Sequence, residues 1–134
     1  MKNRVLTTNT KFHVDTENKV VVCELKVDMQ MHKNPAYCVV SGDMWRKKLP
    51  YVSWDGQFTV RAKARCNASD TFDETVGKRI AESRAKAKMF KIASRVWATC
   101  REALTDMAGR CHVSSVACDH AEMVENNHVL ELTR

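Results

Sequence analysis

Gln57-Phe58-Thr59-Val60-Arg61-Ala62-Lys63-Ala64-Arg65-Cys66 runs through Asn67-Ala68-Ser69-Asp70 into Thr71-Phe72-Asp73-Glu74-Thr75-Val76-Gly77, and the hydrophobic period changes along it. Up to Cys66 the apolar residues alternate: Phe58, Val60, Ala62, Ala64 and Cys66 share one side, while Thr59, Arg61, Lys63 and Arg65 share the other. Period two is the mark of a half-buried strand. Thr71 to Glu74 then reads as a capping box, in which the Thr71 hydroxyl accepts an amide hydrogen bond and Glu74 reaches back, so a helix starts there. Val76, Ile80, Ala87, Phe90, Ala93, Trp97, Cys100, Leu104 and Met107 follow at near-helical spacing, and Gly109 is the first natural stop.

A helix from Phe72 to Ala108 would measure about 55 Å, longer than a compact domain of this size can cover. It therefore bends near Ser94 or lays its distal half on a second copy of the chain. The second reading predicts a homo-oligomer. Upstream, Val21, Cys23, Leu25, Val27, Met29 and Met31 alternate against Glu24, Lys26, Asp28 and Gln30, and Phe12 and Val14 precede the polar turn Asp15-Thr16-Glu17-Asn18. This pattern predicts an antiparallel hairpin. Tyr37 to Ser41 reads as a further short strand and Gly42 to Lys48 as a basic loop. Asp55-Gly56 between Tyr51 and Val60 predicts a second hairpin with a type I′ turn. After Arg110 the pattern suggests a short helix and an edge strand around Val129-Leu130-Glu131-Leu132. The expected fold is α+β, one domain over residues 1–134: antiparallel hairpins, one long or kinked helix packed on the sheet, and a short C-terminal return.

The chain has 134 residues, 44% of them apolar, enough to bury one core. It contains no apolar run of the length needed to span a membrane and no signal-peptide pattern, so a cytosolic protein without membrane association is expected. Six cysteines without an export signal then read as reduced thiols. The net charge of +6 is unevenly placed: residues 61–101 hold eleven basic and four acidic side chains, while the remainder holds eleven basic and twelve acidic. Clustered cations favour an anionic partner, although a solvated helix face has the same composition.

Cys111-His112 and Cys118-Asp119-His120 bring together zinc-type ligands, but their spacing lacks the paired knuckles of structural zinc sites, and no metal is expected. Cys66, beside Arg65 and before a helix N-terminus, could be an activated thiol; it equally continues the apolar face as a core cysteine. Gly77 inside the helix points to close helix–strand packing. No phosphate loop, dinucleotide fingerprint or nucleophile elbow is present, so neither catalytic residues nor a cofactor is expected.

Arg61, Lys63 and Arg65 at two-residue spacing suit phosphate oxygens, or else protect an edge strand from aggregation. Arginine beside aromatic residues is also how bases are held; Phe72, Phe90 and Trp97 lie near the helical cations, though each could be core. The segment from Val60 to Lys86, through Cys66, Asp70, Phe72, Asp73, Gly77, Ile80-Ala81 and Arg84-Ala85, resembles small phage proteins of the Thoeris anti-defence sponge group. It covers about a fifth of the chain. The resemblance implies a homo-oligomeric phage protein in the host cytosol that sequesters a cyclic ADP-ribose-like or cyclic oligonucleotide signal without chemistry. Candidate ligand residues are Arg61, Lys63, Arg65, Phe72, Asp73 and Arg84, at the strand–helix junction. A nucleic-acid-binding protein and an inhibitor that binds a host defence protein are the alternatives.

Overall fold

The computed structural model describes residues 6–35, 40, 42–67 and 69–134. Strand β1 (Leu6–Asp15) turns into β2 (Val20–Asp28), and after a short helix α1 (Gly42–Lys48) the chain returns as β3 (Gln57–Arg65) before helix α2 (Glu74–Leu132). The sheet order is β1-β2-β3, antiparallel throughout, so β2 is central and β3 an edge. The first hairpin forms as its alternation predicts, with Phe12 opposite Cys23 and Val14 opposite Val21. Its turn is closed by Asn18, whose backbone amide and side-chain amide both donate to the Asp15 carboxylate.

The helix lies on one face of the sheet. Val21, Cys23, Leu25 and Val27 from β2 and Phe58, Val60, Ala62 and Ala64 from β3 are buried against Ala81, Ala85, Met89, Ala93, Val96 and Cys100 of α2. Small helix residues let the backbone approach the strands closely. Gly77 marks the limit of that approach, since a Cβ there would lie 2.9 Å from Val21 Cγ2. Burial raises the thiol pKa of Cys23 and of Cys100, which keeps both protonated and inert.

Several sequence expectations require correction. The second hairpin does not form: Gly56 takes a left-handed φ of 82° and the turn closes with Gly56 N donating to Ser53 O at 2.9 Å, but Tyr51–Trp54 is not a strand. The carbonyls of Asp55 and Gly56 instead accept from Met31 N and Met29 N, each at 3.1 Å, which ties this turn to the end of β2. The residues before it pack as a plug. Trp45 and Trp54 meet edge to face at 5.9 Å, and the Trp45 indole donates to the carbonyls of Val52 and Ser53. Residues 42–48 are helix α1, not a loop; Trp45 on its inner side supplies the burial that holds it. The strand expected at 37–41 falls almost wholly outside the described residues.

The capping box is also displaced by two positions. Asp73 is the N-cap, its carboxylate accepting from Thr75 N at 3.0 Å and Val76 N at 3.3 Å. The helix then neither breaks near Ser94 nor stops at Gly109: α2 runs 59 residues, about 88 Å, and takes up the tail expected to return as a helix and strand. Gly109 does not take the left-handed φ that would make it a stop, and the Arg110–Asp106 ion pair at 3.1 Å bridges its turn. Proline, the stronger breaker, is absent from the helix.

Candidate anion-binding face

The face of the sheet turned away from α2 is uncovered by any described element, and the register fixes what it displays. Arg61 sits opposite Glu24 and Lys11 in one row, Lys63 opposite Val22 and His13 in the next, and Arg65 opposite Val20 and Asp15 in the third. Thr59 and Lys26 form the row on the other side of Arg61. Alternation carries these side chains outward because Phe58, Val60, Ala62 and Ala64 face the core. Lys11, Lys26, Arg61, Lys63 and Arg65 are all exposed on this face. The three β3 cations are spaced by about 6.7 Å, twice the strand rise.

Glu24 is the counter-charge within the row. It accepts from Arg61 Nε at 2.8 Å, and that bond holds its carboxyl below the usual carboxylate range. Among the described residues Lys63 and Arg65 have no carboxylate within ion-pair distance. The field of the row is therefore carried mainly by those two residues.

The helix adds cations along the β3 edge. Arg84 Nη1 donates to Lys63 O at 2.9 Å and Lys88 Nζ to Arg61 O at 2.7 Å, so two outward carbonyls of the edge strand are capped by side chains of α2. This joins Arg84 to the row of Arg61, Lys63 and Arg65. It also covers the free edge, through Arg84 and Lys88; the sequence offered that role to Arg61, Lys63 and Arg65.

Phe72 and Asp73 are placed differently. Phe72 is half-buried against the core, and Asp73 spends its carboxylate on the first helix amides. An anion approaching the helix N-terminus would meet Asp73 already there, so the dipole end is not an open phosphate seat. Cys66 is half-buried, with its thiol directed at the carbonyls of Asp70 and Thr71. Cys111 and Cys118 lie exposed on the distal helix, and among the described residues no three His, Cys, Asp or Glu side chains converge as a metal site.

Two contributors escaped sequence reasoning. Lys11 and Lys26 sit outside the charged segment, and only strand pairing brings them beside Arg61; their alternation phase was the available signal. A shallow concavity of about 670 Å³ borders the face at the β1–β2 turn, with Asp15, Glu17, Lys19, Val22, Arg65 and Cys66 among its walls. None of the described helices is long and apolar enough to cross a membrane. Comparison with protein-family models, with curated proteins and with solved structures finds no match to this chain.

Proposed function

We propose that this protein is a non-catalytic binder of the nucleic-acid phosphate backbone, held on the open sheet face by Lys63 and Arg65 with Arg61, Lys11, Lys26 and the edge cations Arg84 and Lys88. One observation carries the reading: the cations form a broad, uncovered band along strand and edge, a shape that suits an extended polyanion better than an enclosed small molecule. The face carries no Phe, Tyr or Trp at its described positions and His13 is its one ring, so backbone contact more than base stacking supplies the affinity.

Fluorescence anisotropy with a labelled 20-nucleotide strand and the matching duplex tests this. Four phosphate contacts correspond to a loss of about 50-fold in single-strand affinity between 50 and 200 mM salt. Lys63→Glu with Arg65→Glu should abolish binding while leaving the melting temperature nearly unchanged. Binding that ignores salt and both substitutions would overturn the proposal.

A second reading, capture of a free nucleotide signal, is supported by the resemblance of residues 60–86 to anti-defence sponges and by the concavity beside Arg65, whose size suits a nucleotide. Asp15 and Glu17 on the same wall oppose a phosphate there. Competition separates the two: a cyclic dinucleotide or cyclic ADP-ribose that displaces the oligonucleotide at equal concentration favours the second.

A further inference from the structure

Helix α2 has two apolar sides, and the sheet covers only one. Counting 100° per residue, Val76, Ile80, Ala87 and Phe90 lie within about 40° of a single line on the side away from the core, and Val116, Met123 and Leu130 return to that same line about seven turns beyond. These seven positions are exposed; the six larger side chains among them are 41–62% accessible. Between the two patches the line is polar or small, through Ser94, Ala98, Arg101, Thr105 and His112. From Leu104 onward every residue is exposed, so about 40 Å of helix stands clear of the domain.

We infer that a second copy of this chain covers that line, as an antiparallel pair of α2 helices in which each distal arm lies on the proximal patch of its partner. The positions obey the symmetry such a pair requires. In a two-fold antiparallel pair, each residue faces the one at equal distance on the other side of the axis. An axis at residue 103 sets Val76 opposite Leu130, Phe90 opposite Val116, and Met123 opposite Ser83. Large meets large at both ends, and between them Met123 meets the small Ser83 and Ile80 meets Asn126, an alternation of bulk that lets the helices interdigitate.

Charge selects the same arrangement. Residues 111–134 hold four acidic side chains and one arginine, and the proximal patch is flanked by Arg79, Lys86 and Lys91. Antiparallel pairing brings the acidic arm over the basic half, with Asp119 level with Ala87, next to Lys86. Parallel pairing would stack basic on basic. The inference does not rest on the proposed ligand, because the line through Val76, Ile80, Ala87 and Phe90 faces away from the sheet, whereas the α2 cations of the ligand face, Arg84 and Lys88, reach the β3 edge.

Sedimentation equilibrium of the full chain at micromolar concentration reads the outcome. The wild type should have twice the 15.3 kDa chain mass, and Phe90→Lys and Val116→Glu should each raise the dimer dissociation constant by about tenfold or more. An equimolar mixture of the two variants should recover the dimer, since one arm contact is then intact and the other places lysine against glutamate. Val76→Lys with Leu130→Glu gives the same readout should either first variant lose its helical circular dichroism. A wild type that remains at 15.3 kDa, single variants that stay fully dimeric, or a mixture that stays monomeric overturns the arrangement; the last outcome with a dimeric wild type would assign the arms to each other or to another partner.

Discussion

Arg84 donates its guanidinium to the main-chain carbonyl of Lys63 at 2.9 Å, across 21 residues, and so joins the helix to the free edge of the sheet. The same interaction places a cation beside Lys63 without consuming the Lys63 ammonium. Arg84→Ala should therefore do two things at once: lower the melting temperature by no more than about 4 °C, because the bond is exposed, and weaken polyanion binding. With Lys88→Ala added, two edge carbonyls become free to pair with another strand. Light scattering on heating should then show earlier aggregation than in either single variant, and an unchanged onset would mean that the edge is protected by other means.

Glu24 and Arg61 offer a test with the opposite sign. The carboxylate accepts from Arg61 Nε and sits in the middle of the basic face. Glu24→Gln removes a negative charge from the face and releases the guanidinium, so nucleic-acid affinity should rise by about three- to tenfold, with a steeper salt dependence. Arg61→Ala should weaken binding less than Lys63→Ala, since Arg61 is already partly neutralised. Reversal of that order in anisotropy titrations would place the binding face elsewhere.

The sequence carried the α+β class and the phase of the strands, because alternation in Val21–Met31 and in Phe58–Cys66 allows only one side to be buried. It carried the side to which Arg61, Lys63 and Arg65 point for the same reason. It did not reveal which side of α2 meets the sheet. The bulky series Val76, Ile80, Phe90 and Leu104 is the more conspicuous hydrophobic signal, yet Ala81, Ala85 and Ala93 occupy the contact, since a helix lying close on a sheet needs small side chains there. Asp55-Gly56 was misread because a turn dipeptide specifies the turn and not its partners; Met29 and Met31 hold its carbonyls. Helix ends misled similarly. Asp73 outcompeted Thr71 as cap, and Gly109 lacked the left-handed backbone that would make it a stop.

The two glycines of α2 should respond oppositely to alanine. At Gly77 the new Cβ would come within 2.9 Å of Cγ2 of Val21, a fully buried β-branched side chain with little room to turn. Overpacking of about 1–3 kcal/mol outweighs the gain of about 1 kcal/mol in helix propensity, so Gly77→Ala should lower stability by roughly 1 kcal/mol. At Gly109 nothing lies within 4 Å, so Gly109→Ala should raise helical ellipticity and leave the core transition in place. Urea titrations followed by circular dichroism read both, and a stabilised Gly77→Ala would show that the helix can lift from β2 without penalty.

The last expectation concerns acid. Asp55 accepts from both the backbone amide and the ring Nδ1 of His32, at 3.0 and 2.9 Å, and these bonds hold its carboxyl below the usual value of 3.8. The lowered value means that the folded state favours the ionised form. Its contribution to stability is therefore fully present above pH 3.8 and declines as pH falls through the lower folded value. Asp55 also anchors the turn whose carbonyls meet Met29 and Met31, so its protonation loosens the junction between the 3-10 turn Met31–Lys33 and the start of β3. Asp55→Asn should lower the melting temperature at pH 6, by an amount that shrinks as the pH is taken from 5 towards 2. Thermal melts at unit pH intervals measure this. A deficit that stays constant down to pH 2 would show that Asp55 acts there through its shape and hydrogen-bond count, not through its charge.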